Sequence, residues 1–187
     1  MSSTRTNFTV LMIGAAILMM GQGLLVTLLP VRGALEGLST SWIGYMGSAY
    51  YGGFAIGCLI GPGMIRNVGH IRVFAGFAAL TAAATLLFEL LPSQWAWVAT
   101  RGFTGVCFAI LSMAIESWLN ELSNNKNRGR ILSVYIIVGN IMIASGQLML
   151  NLRDPASSTL FILGALMICI SLAPISLSTI TEPSAPP

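Results

Sequence analysis

TNFTVLMIGAAILMMGQGLLVTLLPV, residues Thr6–Val31, contains no charged side chain. A bilayer core about 30 Å thick needs about 20 apolar helical residues, so this run is long enough to span one. Three more runs share the property: Gly37–Ile65, Ile131–Leu152 and Pro155–Thr181. Between Val73 and Leu119 the chain is equally apolar but carries Glu89, Arg101 and Glu116. A turn at Pro92-Ser93-Gln94 divides that stretch into two spans. The pattern predicts an all-α integral membrane protein. Its six transmembrane helices lie at about 8–31, 40–65, 73–91, 95–119, 131–152 and 159–180, within one domain over residues 1–181.

Composition points the same way. Hydrophobic residues make up 55% of the chain and charged residues 8%, against about 25% charged in soluble domains. A net charge of +3 is too small to suggest nucleic acid as a partner. Cys58, Cys107 and Cys169 stand far apart inside apolar runs and read as small buried hydrophobes. No His or carboxylate stands near them at ligand spacing, so no metal and no cofactor is expected. The first run exceeds the apolar core of a signal peptide, about 7–15 residues, and reads as a retained first span.

Basic residues orient the helices. With six spans, Arg5, Arg66, Arg72, Lys126, Arg128 and Arg130 fall on one side, and Arg32 and Arg153 on the other. Cytoplasmic loops accumulate Lys and Arg, which places both termini in the cytoplasm. Arg32 and Arg153 each have an acid nearby, Glu36 and Asp154, and His70 is expected in a solvated inner loop. Trp42 and Trp95 open spans at the outer boundary, where indole rings favour the interface.

Polar groups are shared unevenly. The first span has Gln22, the second Tyr50 and Tyr51, the fourth Arg101 and Glu116, the fifth Asn140 and Gln147. The third and sixth have no amide or charged group except Glu89, near the end of the third. Such groups are costly against lipid tails and turn toward protein or a water-filled cavity. Spans one, two, four and five are therefore expected to enclose something, with three and six toward lipid. The order polar, polar, apolar occurs twice, as two inverted three-helix repeats would give. Gly53, Gly57 and Gly61 form a stripe at four-residue spacing that suits close helix packing, and Pro62 is expected to loosen the end of that helix.

The fourth span reads Arg101-Gly102-Phe103-Thr104-Gly105, similar to the R-x-x-Q-G motif of the major facilitator superfamily, with Thr104 at the Gln position. It is followed by Glu116-Ser117-Trp118-Leu119-Asn120, Asn127-Arg128-Gly129-Arg130 and Gly146-Gln147-Leu148. That series resembles a bacterial subgroup of the superfamily described as YcaD-like. The loop Arg66-Asn67-Val68-Gly69-His70-Ile71-Arg72 falls where the family carries G-x-x-x-D-R-x-G-R-R/K. Gly69 matches it in register, while Arg66 stands at the Asp position and Pro62 at the first Gly. The antiporter G-P-x-x-G-G of the fifth span is absent. Family members have twelve spans in two halves joined by a cytoplasmic linker, which residues 182–187 resemble the start of. The resemblance implies a plasma-membrane protein, acting either as the amino-terminal half of a transporter or as a half-sized protein working with a second six-helix half.

Several residues become candidates on these grounds. Arg101, with Gln22, Tyr50, Tyr51, Asn140 and Gln147, is a candidate for the substrate path. At about 1.5 Å per residue from Trp95, Arg101 lies about 9 Å inside the boundary. It reads either as a snorkelling anchor or as a cation lining the cavity, where it would attract an anionic substrate group or depress the pKa of a carboxylate from the other half. Glu116 is about 22 Å further along the same helix and cannot pair with Arg101. Its expected partner is Arg66, Arg72, Arg128 or Arg130, which with Gly69 would form a cytoplasmic gate. The alternative for that pair is an ordinary surface salt bridge. Gly53, Gly57, Gly61 and Gly105 are helix-packing candidates. The expected function is secondary active or facilitated transport of a small solute by alternating access, with the lipid bilayer and a second half as partners. The alternative is a six-span structural or regulatory protein that pairs with a partner chain and transports nothing. An enzyme is not expected, since the single His is placed in a loop.

Overall fold

The computed structural model describes residues 2–91 and 93–176, with side chains from residue 7 onward. The expected linker, residues 182–187, and the last turn of the sixth span, 177–180, lie outside them. Helices α1 (Ser2–Leu35), α2 (Thr40–Val68), α3 (His70–Leu90), α4 (Gln94–Glu121) and α5 (Arg128–Leu148) follow one another. A 3-10 turn, Met149–Leu152, extends α5, and α6 (Thr159–Ile170) and α7 (Leu172–Ser176) complete the bundle. No strand occurs among the described residues.

Five stretches are long and apolar enough to cross a membrane: Asn7–Leu35, His70–Leu90, Gln94–Glu121, Arg128–Leu152 and Thr159–Ser176. Helix α2 is 29 residues long but is not among them, because glycine, serine and tyrosine dilute its apolar content. The sixth span is broken at Ser171. Pro174 has no N–H to return to the carbonyl of Ile170, which accounts for the interruption. Pro62, in contrast, lies inside a helix that continues to Val68.

The loop expected at residues 66–72 is a single residue. Gly69 ends α2 and begins α3 with φ of 96°, a conformation that side chains disfavour. Its N–H donates to the carbonyl of Ile65 at 2.9 Å, and its carbonyl accepts from Val73 at 3.1 Å. The helices therefore run through the segment and carry Arg66 and Arg72 outward, both exposed.

Helix α2 packs on α4 and α1 on α5; α3 packs on α4, α6 on α1, and α3 and α6 on each other. The core between α1, α3, α4 and α6 includes Leu11, Leu18, Phe74, Trp118 and Phe161, all fully buried. Helices α2 and α5 are covered on one stripe only. In α2 the buried residues are Met46, Tyr50, Gly53, Gly57, Gly61 and Ile65. In α5 they are Tyr135, Gly139 and Gly146. Cys58 and Cys169 stand on open helix faces and only Cys107 is buried, a departure from the expectation for all three.

Candidate functional site

Glycine sets the distance between α2 and α4. A methyl group at Gly53 would collide with the backbone carbonyl of Gly102, and one at Gly105 with that of Tyr50. At Gly57 it would come within 2.6 Å of the Val106 carbonyl and 2.7 Å of the Ala109 side chain. Gly61 faces Met113 less tightly. The four glycines thus form one seam along which the backbones approach as closely as atoms allow. Gly23 against Ile143 and Gly146 against Met20 make the corresponding seam between α1 and α5.

That approach brings two candidate residues together. The Arg101 guanidinium lies over the Tyr50 ring, 4.2 Å from its centroid, a cation–π contact. From α1, Gln22 Nε2 donates to the Tyr50 hydroxyl at 2.8 Å. The phenol thereby accepts one bond and keeps its own proton free to donate. Tyr51 stands edge-on to Tyr50, ring centres 5.4 Å apart, and is 73% exposed. Thr104 turns its hydroxyl back to the Arg101 carbonyl at 2.9 Å, so it does not hold the guanidinium.

A cleft of about 170 Å³ opens beside this group, lined by Val26, Leu29, Pro30, Ile43, Met46, Gly47, Tyr50, Tyr51 and Arg101. Arg101 is 8% exposed. Among the described residues no carboxylate lies within ion-pair distance of it. It is therefore a buried cation at the wall of a cleft.

The other substrate-path candidates stand apart. Asn140 and Gln147 are exposed on the open face of α5 and do not line the cleft. The expected gate also fails to assemble: Glu116 is exposed, and none of Arg66, Arg72, Arg128 or Arg130 pairs with it. The reason lies in the turns. Asn124 Oδ1 accepts from the backbone N–H of Lys126 and Asn127, and Asn127 Oδ1 from that of Asn124. This closed turn opens α5 with Arg128 and Arg130 pointing away from the bundle, both exposed.

Two polar clusters escaped the sequence reading. Arg32 joins the end of α1, the end of α3 and the connection before α6 at one end of the bundle. Its Nε lies 2.9 Å from Glu36 and its Nη2 3.5 Å from Glu89. Its Nη1 donates to the carbonyls of Pro155, at 3.3 Å, and Ala156. Only the i, i+4 spacing of Arg32 and Glu36 was visible in sequence. No ion pair joins Arg153 to Asp154. Trp42 and Trp95 meet edge-to-face at 4.7 Å, which places the starts of α2 and α4 together.

At the opposite end, His70 is buried and not solvated as expected. Its Nε2 is 3.0 Å from Ser117 Oγ and 3.7 Å from Glu121 Oε1, and its ring rests against Trp118. Hydroxyl and carboxylate share one ring nitrogen. A base that activates a nucleophile needs them on opposite nitrogens, so this cluster ties α3 to α4 without forming a catalytic relay.

The chain is 30% identical over 151 residues with an uncharacterised MFS-type transporter of Enterobacter sp. (strain 638), covering 81% of this chain and 40% of that protein. The same figures hold for the uncharacterised MFS-type transporter YcaD of Escherichia coli, strain K12 / DH10B. The chain thus spans about 40% of the length of these relatives. No family model matches it.

Proposed function

From its kinship with the MFS-type transporters, we propose that this multi-pass helical chain is the amino-terminal six-helix half of a solute transporter. It moves a small solute across the plasma membrane by alternating access, and a second six-helix half supplies the facing wall of the path. The observation that carries this reading is the buried Arg101 at the wall of the cleft, lying over the ring of Tyr50, whose hydroxyl in turn accepts from Gln22. A cation kept at membrane depth without a counter-charge is costly, and such residues mark substrate paths.

The helix pairings support two inverted three-helix repeats. Exchanging α1 with α4, α2 with α5 and α3 with α6 leaves the principal pairings unchanged. On this reading α2 is a sixth span despite its diluted apolar content, shielded by its seam with α4. The open faces of α2 and α5 turn toward the second half, with Asn140 and Gln147 on that side. Glu116, Arg66, Gly69, Arg72, Arg128 and Arg130 lie at the cytoplasmic end, where a gate would take its partner charges from the second half. Both termini are cytoplasmic.

Uptake of a panel of labelled small solutes into proteoliposomes tests the proposal, with the complete two-half assembly compared with this chain alone. Transport by the assembly and none by the monomeric chain is expected. Robust uptake by a demonstrated monomer would overturn the half-transporter reading. Tags placed in the 36–39 connection and after Pro187 should report opposite sides of the membrane. Tags on the same side would remove the six-span topology.

A further inference from the structure

The chemistry of the cleft narrows the solute class, and we infer that it binds a small organic anion: one carboxylate, or an equivalent acid group, on a compact apolar body. The inference rests on the transport reading above only for the solute's fate, since binding is measured separately. Three features combine. Arg101 presents a planar set of N–H donors at the cleft wall with no carboxylate of the described residues to neutralise it. Tyr50, its hydroxyl already accepting from Gln22, has a proton to give. The remaining wall is mostly apolar, with Val26, Leu29, Ile43 and Met46 lining a space of about 170 Å³.

Each feature rejects a class of solute. A cation would face like charge at Arg101 in a low-dielectric site. A polyol would leave its hydroxyls against Leu29 and Met46 without partners. A neutral apolar molecule fits the wall but leaves the guanidinium unpaired. The space beside Arg101 on this half, about 170 Å³, is of the scale of an apolar cavity that takes benzene, about 150 Å³. A body of that scale with a carboxylate toward Arg101 and Tyr50 pairs the guanidinium and the phenol and leaves its apolar part against Leu29 and Met46.

The test uses the complete assembly in lipid nanodiscs and three probes of one shape: benzoate, benzamide and benzylamine. Binding is read by thermal stabilisation and by calorimetry. Benzoate is expected to bind at least tenfold more tightly than benzamide, and benzylamine not at all. Arg101→Gln should abolish the preference for benzoate over benzamide, and Arg101→Lys should keep part of it, at unchanged monodispersity. Tyr50→Phe, which keeps the ring, should reduce benzoate affinity more than that of benzamide, whose carbonyl accepts a weaker, neutral bond. Equal binding of benzoate and benzamide would overturn the inference and indicate that a carboxylate of the second half already occupies Arg101. Loss of benzoate binding when phosphatidylglycerol replaces phosphatidylcholine would also overturn it, with a lipid headgroup as the occupant. Uptake of neutral solutes without benzoate binding would remove the anion class and leave transport standing. Benzoate binding with no flux of any solute would do the reverse.

Discussion

Two arginines of this chain illustrate opposite ways of placing a guanidinium among helices. Arg32 meets the carboxylates of Glu36 and Glu89 and the carbonyls of Pro155 and Ala156. Arg101, more deeply buried, meets the face of Tyr50 and no carboxylate. Both face the same desolvation problem, and of the two only Arg32 meets carboxylates within the described residues. A charge whose partners all come from its own bundle serves the bundle. On the proposed transport reading, one that lines a cleft and meets no carboxylate is arranged for something that arrives and leaves.

The contrast breaks most readily at Arg101. Arg101→Ala should lower transport per molecule by about 10–100-fold, the range expected for a lost charged hydrogen bond, while membrane abundance is unchanged. Equal rates in variant and wild type would make Arg101 a structural residue after all. The support beneath it is next. Gly105→Ala pushes a methyl group against the Tyr50 carbonyl, and overpacking of this kind costs about 1–3 kcal/mol. Thermal denaturation in lipid should show that loss, and fluorescence of the Tyr50 region should report the altered stacking. An unperturbed melting temperature would mean the seam yields.

Smaller effects sharpen the Arg32 side. Glu89→Gln removes one of two carboxylates from a guanidinium that is only 12% exposed, and should destabilise the chain by about 1–3 kcal/mol. Glu36 is half exposed, at 51%, so Glu36→Gln should cost under about 1 kcal/mol. Melting temperatures of the two variants decide the order, and the reverse order would show that the short Arg32–Glu36 contact dominates despite solvent screening.

Much of the helical architecture was legible because charge-free length and turn residues are one-dimensional signals. The glycine seam was legible for the same reason: Gly53, Gly57 and Gly61 share a face by spacing alone. What they face is not in the spacing. That Gly105 would return the contact to Tyr50, and so set the ring against Arg101, depends on how α2 and α4 are rotated about their axes, a tertiary property. Arg101 and Tyr50 were each singled out, but their pairing was not. His70 was misread because the polar segment from Arg66 to Arg72 looks like a loop. A single glycine with positive φ reverses the chain there, so His70 opens a helix and is buried. Glu116 was assigned a basic partner from proximity in sequence to charged loops, whereas the helix ends project those arginines outward.

The most direct measurement is a crossed comparison of Arg101→Lys and Arg32→Lys in the complete assembly, reading transport rate per folded molecule and thermal stability for both. Lysine keeps the charge and loses the planar fork. The account predicts that Arg101→Lys loses most of the rate and keeps the melting temperature, while Arg32→Lys lowers the melting temperature and keeps the rate. Parallel losses in both variants, or a wild-type rate in Arg101→Lys, would contradict it.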